Sequence, residues 1–335
     1  MFNISNRRYT GSKLKLSEWI IELIKENCVG NTFFEIFAGT SVVSSKIAPF
    51  MDTVILNDTL EANEVIYNAF YNNTEYNSEK LNDIRDYFNS HIELSDSGFF
   101  SENYGDKYFS LTDCRKIEFI RNYISENEKI LNKKEYSILL TSLIYSMDRC
   151  ANTVGHFDAY RKIDNIPNKF LFDLIQPFEF PNTDFKIFRE DANLLAEKIN
   201  ADIVYIDPPY NSRQYCQFYH IYETIVRWDN PQLFGTALKP QGRHLSEYCK
   251  SKAPLFFADL IEKLNCNYIA VSYNNTYQSK SGSSRNKITL EQIEDILSKR
   301  GEVLTFSKAH QFFNAGKTDF SDHKEFLFIV KVNNK

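Results

Sequence analysis

The sequence has few cysteines and no long apolar run. Six cysteines are spread over 335 residues without a Cys-x-x-Cys pair, so neither a zinc site nor a disulfide scaffold is expected. No apolar stretch approaches the ~20 residues that span a bilayer, and no apolar segment follows the basic N-terminus. We therefore expect no membrane partner and no export, and reduced thiols suit a cytosol.

The balance of charge and hydrophobicity is that of a globular protein. Hydrophobic residues make up 43% and charged residues 25%, which excludes a disordered or collagen-like chain. The net charge is -5, so a nucleic-acid partner requires basic residues gathered on one face. At about 150 residues per domain, the length allows one large domain or two ordinary ones.

Alternating helix and strand patterns predict an α/β fold. Buried strands at 32–37 and 53–56 flank a helical segment, which makes a βαβ unit and hence a parallel sheet. Residues 72–180 show helical patterns and almost no strand signal, whereas strand character returns afterwards and is strongest at 202–207. The predicted organisation is a catalytic domain in two parts, 1–71 and 181–335, with a helical insertion at 72–180. Further strands are expected at 185–188, 268–272, 302–306 and 325–332, and a helix with a capping box at Thr289 and Gln292.

The sharpest chemical signal is Asp207-Pro208-Pro209-Tyr210, directly after a buried strand. The prolines lack backbone donors and stiffen the turn. The Asp207 carboxylate and the Pro208 carbonyl can therefore project from the carboxyl end of the strand, where open α/β sheets bind ligands. Together with the flat face of Tyr210, they offer two acceptors for an amino group and a stacking surface for a base. The alternative is a rigid Pro-Pro loop with a capping aspartate.

Three weaker signals accompany this motif. Gly39 follows the first strand and lets a ligand approach the backbone at the positive end of a helix, although many such turns contain one glycine. Asp58 ends the second strand at the ~20-residue spacing where an acidic residue grips a ribose diol, and a helix cap is equally consistent with it. Residues 9–13, Tyr-Thr-Gly-Ser-Lys, place an aromatic ring and a lysine around a glycine turn. An ordinary helix start is the alternative there.

In order and spacing, these motifs resemble the DNA adenine-N6 methyltransferases of the D12 class, the group that includes the Dam methyltransferases. Residues 9–13 are similar to the family's N-terminal motif, which usually ends Gly-Gly-Lys. Residues 35–41 are similar to Phe-x-Gly-x-Gly, with Ser41 in place of the second glycine. Residues 57–58 match the family's Asn-Asp, and residues 207–210 match Asp-Pro-Pro-Tyr completely. The motif order is that of the alpha arrangement, in which the insertion recognises the target.

The resemblance implies a class I S-adenosylmethionine-dependent methyltransferase: a Rossmann-like, mostly parallel sheet with a helical target-recognition insertion. The methyl donor would be S-adenosyl-L-methionine, the product S-adenosyl-L-homocysteine, and no metal would take part. Lys13 would pair with the donor's carboxylate, Asp58 would accept from its ribose hydroxyls, and Tyr9 and Phe37 would pack on it. Residues 191–192 would flank its adenine, although position 191 is also a candidate helix cap. The implied cofactor-binding residues are Tyr9, Thr10, Lys13, Glu35, Phe37, Gly39, Asp58, Asp191, Ala192 and Asp207.

Asp207, Pro208 and Tyr210 are the predicted catalytic residues. The adenine amino nitrogen is a poor nucleophile because its lone pair is delocalised into the ring. Asp207 and the Pro208 carbonyl would bind both amino protons and direct the lone pair at the methyl group, through positioning and electrostatics. Rotating the base out of a duplex costs a few kcal/mol, and stacking on Tyr210, ~1–3 kcal/mol, offsets part of this. We expect the ring of Tyr210 to matter and its hydroxyl to be dispensable.

Double-stranded DNA is the implied partner, and two basic sets are its expected binding face. One set lies at the end of the insertion and the other between Asp207 and the 268–272 strand. Such sets suit phosphate contacts, and a solvated helix face is the alternative for each. The predicted DNA-binding residues are Arg149, Asn152, His156, Arg161, Arg213, Gln214, Tyr215 and Arg243. Lys280, Arg285 and Lys287 form a weaker third set.

The leading interpretation is sequence-specific N6 methylation of a flipped adenine, as half of a restriction-modification pair. A cognate restriction endonuclease is then a second partner, and the expected location is a bacterial-type cytoplasm, with the nucleoid. A methyltransferase for RNA or a protein amide is a different class, and Asn at position 207 would favour the protein amide. A nonenzymatic DNA-binding relative would carry a broken motif. Cytosine-N4 methylation is the closest chemical rival, and Asp rather than Ser at position 207 disfavours it.

Overall fold

A computed structural model describes residues 1–90, 97–276, 285–309 and 323–333. Lys280 of the third basic set lies outside the described residues. The helices are α1 Ser17–Asn27, α2 Val42–Ile47, α3 Glu61–Tyr71, α4 Ser78–Ser90, α5 Phe99–Tyr104, α6 Leu111–Glu126, α7 Lys133–Cys150, α8 Ala192–Ala196, α9 Tyr215–Phe218, α10 His220–Arg227, α11 Ala253–Lys263 and α12 Leu290–Leu297. The strands are β1 Thr32–Glu35, β2 Thr53–Asn57, β3 Asp184–Phe188, β4 Asn200–Ile206, β5 Leu233–Phe234, β6 Lys239–Pro240, β7 Asn265–Asn274, β8 Val303–Ala309 and β9 Lys324–Lys331. Short 3-10 helices cover Ile4–Asn6, Ala48–Phe50, Glu128–Ile130 and Glu247–Cys249.

Local sequence explains where several helices begin. The Thr289 side chain accepts from the backbone N–H of Gln292, and the Gln292 side chain accepts from that of Thr289, so the predicted capping box is confirmed. Asn132 and Glu135 form the same arrangement at the start of α7. Each box satisfies backbone donors that an isolated helix start leaves without partners.

The chain folds into two compact units, and one of them is built on a sheet. This unit comprises Lys13–Thr59, Phe180–Gln214 and His244–Lys335. Its described residues form a seven-stranded sheet in the order β3-β2-β1-β4-β7-β9-β8. The pairs from β3 through β7 are parallel, whereas β9 runs antiparallel to both of its neighbours. The prediction of a mostly parallel, class I methyltransferase sheet is confirmed.

The order of the strands fixes where a ligand can bind in this unit. The chain moves from β1 outward through β2 to β3, and from β4 outward in the other direction. The neighbours β1 and β4 are therefore the point where the strand order reverses, and open α/β sheets bind ligands beyond the carboxyl ends of such strands. The segment after β1 carries Gly39, and the segment after β4 carries Asp207.

The other unit is mainly helical. It comprises Met1–Ser12, Leu60–Glu179 and Tyr215–Arg243. Helix α3 packs against α7, and the hairpin of β5 and β6 is its only regular sheet among the described residues. The helices of the predicted insertion, α4 to α7, belong to this unit, and their role in target recognition stays a prediction. Within the described ranges, no helix of either unit is long and apolar enough to cross a bilayer.

Some strand bounds differ from the sequence-based expectation. Strand β1 ends at Glu35, two residues before the predicted end, because the backbone turns there toward α2. Strand β7 is ten residues long and exceeds the predicted 268–272. Its length follows from pairing on both sides, with β4 and with β9.

Candidate active site

The Asp207 carboxylate, just beyond β4, is held by two side chains. The Lys13 ammonium lies 3.0 Å from Oδ2 of Asp207, and the Tyr210 hydroxyl donates to Oδ1. Lys13 also donates to the Tyr210 hydroxyl oxygen over 2.8 Å. The side chain of Lys13 is only 6% exposed and that of Asp207 is 17% exposed. From the sequence, Lys13 was expected to pair with the cofactor's carboxylate. The structure shows that it also contacts the Asp-Pro-Pro-Tyr motif.

Charge explains why a buried lysine is tolerated here. Burial is the largest single influence and lowers the pKa of Lys13, but the carboxylates of Asp207, Glu325 and Glu35 together outweigh it, so the pKa lies above its ordinary value. The pKa of Tyr210 is raised as well, first by burial and then by Asp207. Lys13 is thus a stable cation and Tyr210 a stable hydroxyl donor at neutral pH.

The ring of Tyr210 is fixed from a second direction. It packs edge-on against the ring of Tyr273, with centroids 4.6 Å apart at 63°. The carbonyl of Tyr210 accepts from the backbone N–H of Lys287 over 2.8 Å. The Asp-Pro-Pro-Tyr motif therefore lies in a loop that these contacts hold in place, and the half-buried ring of Tyr210 has a fixed orientation.

The glycine turn after β1 has an unusual backbone. Gly39 has a φ of +52° and Ser41 a φ of +54°. Glycine adopts this left-handed conformation freely, whereas a serine is strained in it. The substitution that departs from the family's Phe-x-Gly-x-Gly pattern therefore keeps the backbone shape that glycine would adopt. The helix that follows Ser41 is α2.

Asp58 is tied to this turn. Its Oδ2 accepts the backbone N–H of Gly39 over 3.0 Å, so the acidic residue after β2 and the glycine turn after β1 form one constellation. The N-cap position of α3 is Leu60, so Asp58 lies before the position that a capping side chain normally occupies. The neighbouring Asn57, the last residue of β2, donates to the carbonyls of Ile36 and Glu190. These bonds connect the carboxyl ends of the adjacent strands β1, β2 and β3.

Glu35 lies beneath the turn rather than on its surface. It is 3% exposed, and its carboxylate accepts from the backbone N–H and the hydroxyl of Ser44 in α2. Burial raises the pKa of Glu35 to about 8. The structure therefore gives this predicted cofactor residue a supporting position, where it fixes α2 behind the glycine turn.

The remaining predicted cofactor residues of this unit differ in their surroundings. Asp191 caps α8 by accepting from two backbone N–H groups, as its alternative reading stated. Ala192 is buried in the core. Phe37 is partly buried and packs edge-on against Tyr248, with ring centroids 5.0 Å apart.

Tyr9 and Thr10 belong to the helical unit. The ring of Tyr9 stacks on Tyr219 with centroids 4.6 Å apart and planes 7° apart. The Thr10 backbone donates to the Tyr219 hydroxyl and accepts from the Tyr215 hydroxyl. Sequence reasoning placed Tyr9 against the cofactor and Tyr215 on DNA, and the structure brings these tyrosines together.

Several predicted DNA-binding side chains support the local fold. The Asn152 amide donates to the carbonyls of Lys107 and Arg161. The side chain of Gln214 exchanges two hydrogen bonds with the Ser246 backbone. These amides hold loops in place, so their part in base recognition stays a prediction.

The cationic members of the set differ in their exposure and contacts. Arg161 is exposed at the surface, whereas Arg213 is half-buried. Arg243 is 56% exposed and pairs with Asp229 over 3.3 Å. Arg149 donates to the Leu171 carbonyl and lies over a phenylalanine ring, and the His156 ring stacks on another phenylalanine ring at 4.5 Å.

Sequence reasoning missed one acidic residue near the catalytic motif. Glu325 on β9 is 6% exposed and interacts electrostatically with Lys13 and Asp207. Its position in an apolar strand, Glu-Phe-Leu-Phe-Ile-Val, is the one signal that marks it, since a carboxylate within a buried strand requires a partner.

Comparison with known proteins matches residues 9–263 to the D12 class N6 adenine-specific DNA methyltransferases. The chain is 32% identical to the type II methyltransferase M.FokI of Planomicrobium okeanokoites, over 97% of this chain and 52% of that protein. It is 36% identical to the modification methylase StsI of Streptococcus sanguinis, over 80% of this chain and 44% of that protein.

A third relative matches from end to end. The type II methyltransferase M.NlaIII of Neisseria lactamica is 31% identical, over 96% of this chain and 98% of that protein. The chain therefore spans about half the length of the first two relatives and nearly the whole of the third. A match over most of the sequence settles the family: this chain belongs to the D12 class N6 adenine-specific DNA methyltransferases.

Proposed function

We propose that this chain transfers a methyl group from S-adenosyl-L-methionine to N6 of an adenine in double-stranded DNA, as the modification enzyme of a restriction-modification system. The observation that carries the proposal is the Asp207 carboxylate, set by Lys13 and Tyr210 beyond the end of β4. It lies where the strand order reverses, next to the strand that leads into the Gly39 turn. Family membership and the names of the relatives support the same reaction.

The turn after β1 fits the methyl donor. When bound, S-adenosyl-L-methionine supplies an electrophilic methyl carbon on a positively charged sulfur. The left-handed backbone at Gly39 leaves room for close approach, and Asp58, anchored on Gly39, is a carboxylate suited to accept from a ribose diol. Phe37 would pack against the donor, and residues 191–192 would border its adenine. Lys13, already paired with Asp207, would share its ammonium with the donor's carboxylate.

The Asp-Pro-Pro-Tyr loop would hold the adenine. Each oxygen of the Asp207 carboxylate accepts one hydrogen bond in this structure, and each has a second lone-pair site. An amino proton of adenine would occupy one of these sites, and the Pro208 carbonyl would accept the other proton. The extruded base would stack on the ring of Tyr210. This arrangement sets the direction of the N6 lone pair before reaction.

DNA would be held by the basic sets. Because the chain carries a net charge of -5, attraction to a polyanion must come from local groups such as Arg161, Arg213 and Arg243. Counterion release then predicts an affinity that falls by orders of magnitude, roughly 10³ or more for six or more phosphate contacts, between 50 and 200 mM salt. Fluorescence anisotropy with a labelled duplex measures this directly. A flat salt response would mean that the substrate is not a polyanion.

Further parts of the proposal follow from the chemistry. The product of the donor would be S-adenosyl-L-homocysteine, and methylation would proceed in EDTA because acceptors, rather than a Lewis acid, activate the amino group. A cognate restriction endonuclease would be the second partner, and the enzyme would act in the cytoplasm, at the nucleoid. Among the described residues, no group of three or more His, Cys, Asp or Glu side chains is arranged to hold a metal ion.

Mass spectrometry of nucleosides tests the proposed reaction. Unmethylated plasmid DNA is incubated with the purified chain and a donor that carries a deuterated methyl group, and then digested. Label in N6-methyladenine supports the proposal, whereas label in N4-methylcytosine alone, or in neither nucleoside, overturns it. Long-read sequencing of the same DNA identifies the target sequence.

A further inference from the structure

Glu325 lies on the sheet face that carries the catalytic motif. Across β4 and β7, the Tyr205 hydroxyl and the Ser272 hydroxyl are 2.7 Å apart, so these two side chains share a face. Side chains two positions further along a strand return to that face, which places Asp207 and Asn274 on it. Glu325 is the register partner of Asn274 on β9 and therefore faces the same way.

The carboxyl group of Glu325 is buried and incompletely bonded. Oε1 accepts a long hydrogen bond, 3.4 Å, from the Asn274 amide. Oε2 is buried and accepts no hydrogen bond from the part of the chain that the structure describes. Burial raises the pKa of Glu325 to about 7, opposed by the attraction of the Lys13 ammonium. A buried acceptor without a hydrogen bond lowers the stability of the fold, so its presence calls for a functional explanation.

A chain of hydrogen bonds links Glu325 to the catalytic loop. The Asn274 amide contacts Glu325, and the Asn274 carbonyl accepts from the Asn286 amide over 2.7 Å. The residue after Asn286 is Lys287, whose backbone N–H donates to the carbonyl of Tyr210. Glu325 thus reaches the Asp-Pro-Pro-Tyr loop through hydrogen bonds, and it reaches Lys13 through charge.

We propose that Glu325 is a positioning residue of the methyl-transfer site: its carboxylate competes with Asp207 for the Lys13 ammonium and so makes Asp207 a stronger acceptor for the adenine amino group. With Glu325 protonated, the ammonium is attracted mainly by Asp207. With Glu325 ionised, a second carboxylate attracts the ammonium, and the oxygens of Asp207 bind the amino protons more strongly. This inference rests on the proposed function and adds a residue to it.

Several titratable or charged groups surround Glu325, and the test must separate them. His323 lies 4.0 Å away and is a second ionisable side chain beside this carboxyl group. Lys308 is the register partner of Glu325 on β8. The remaining groups that face it, directly or through Lys13, are Lys13, Glu35, Tyr205, Asp207 and Tyr210.

The test is the pH dependence of single-turnover methylation, with saturating DNA and donor, in the wild type, Glu325→Gln and His323→Gln. Glutamine keeps an acceptor for the Asn274 amide and cannot ionise. We expect the wild-type rate to rise as pH passes through about 7. Glu325→Gln should be close to the wild type near pH 6 and severalfold slower near pH 8, because a group with a pKa of about 7 is mostly protonated at the lower pH and mostly ionised at the higher one. His323→Gln should keep the rise.

Two results would overturn the inference. One is a Glu325→Gln profile that coincides with the wild type, and the other is a uniform loss of rate at every pH, which indicates a structural role only. If Glu325→Gln does not fold, Glu325→Asp replaces it: the retained carboxylate should preserve a rise, and a folded aspartate variant without one contradicts the inference. A wild type that produces no N6-methyladenine at any pH refutes the proposed function instead, so the two failures are distinguishable.

Discussion

The Lys13 ammonium lies 3.0 Å from Oδ2 of Asp207. This pair joins the N-terminal Gly-Ser-Lys motif to the Asp-Pro-Pro-Tyr motif in one buried arrangement, with the Tyr210 hydroxyl bonded to both partners. In water such a pair is worth little, but with a lysine that is only 6% exposed its Coulomb attraction is weakly screened. The Asp207 carboxylate therefore has a fixed orientation before any ligand arrives.

The hydroxyl of Tyr210 is expected to matter. On sequence grounds only its ring had a role, and Tyr210→Phe would be nearly silent. The structure shows that the hydroxyl donates to Asp207 and accepts from Lys13. A hydrogen bond to a charged group contributes about 1.5–3 kcal/mol, so Tyr210→Phe should lower the single-turnover rate by about 10- to 100-fold.

The control for this variant is Tyr273→Phe, which keeps the ring that packs on Tyr210 and removes a hydroxyl bonded instead to the Ile288 backbone. It should retain most of the activity. A Tyr210→Phe enzyme as fast as the wild type would show that the hydroxyl does not contribute to the reaction.

Asp58 is expected to bind the methyl donor. Asp58→Ala should weaken donor binding by about tenfold or more, the loss of hydrogen bonds to a charged acceptor, as measured by isothermal titration calorimetry. Asp58→Asn can keep the hydrogen bond from Gly39 but loses the charge, so its affinity for the donor should lie between those of the wild type and Asp58→Ala. Asp52, exposed at the other end of β2, supplies the matched control Asp52→Ala. Unchanged affinity in Asp58→Ala would remove this residue from the site.

Ser41 is expected to tolerate glycine better than an ordinary helical serine does. Its φ of +54° is a strained conformation for serine, at a cost of roughly 1–2 kcal/mol. Relief of this strain should offset the greater entropy of an unfolded glycine, so Ser41→Gly should be at least as stable as the wild type in urea unfolding. Ser45→Gly, within α2, should lose about 0.5 kcal/mol, the difference between the helix propensities of serine and glycine. A Ser41→Gly variant destabilised as much as Ser45→Gly would contradict the strain argument.

The strands of the sheet and the position of the Asp-Pro-Pro-Tyr loop were predictable because local sequence patterns determine both. Apolar runs predicted the strands, and the motif directly follows one of them, at the carboxyl end of β4. The capping pair Thr289 and Gln292 predicted the start of α12. In each case the physical cause lies within a few neighbouring residues, so one sequence suffices.

What escaped prediction depends on contacts between distant segments. The role of Lys13 toward the donor's carboxylate stays a prediction, and a lone motif cannot show that its ammonium also lies beside Asp207. Glu325 went unnoticed because its neighbours in sequence are apolar, whereas its electrostatic neighbours lie on other elements. Nothing in the motif around Glu35 reveals that its carboxylate accepts from Ser44, and its contact with the cofactor stays a prediction. The contacts of these side chains depend on strand register and burial, and neither can be read from the residues that are adjacent in sequence.

Methylation of DNA by Asp207→Ala tests the catalytic role of Asp207 most directly. N6-methyladenine formed in a single turnover is quantified by mass spectrometry for this variant and the wild type, with donor and DNA affinities measured in parallel. Loss of one preorganised polar contact predicts a rate lower by roughly 10²–10³, with much smaller changes in both affinities. Because the substitution leaves the buried Lys13 without its carboxylate, thermal unfolding of the variant is recorded as well. A folded Asp207→Ala enzyme that methylates adenine at the wild-type rate would contradict the assignment of catalysis to this carboxylate.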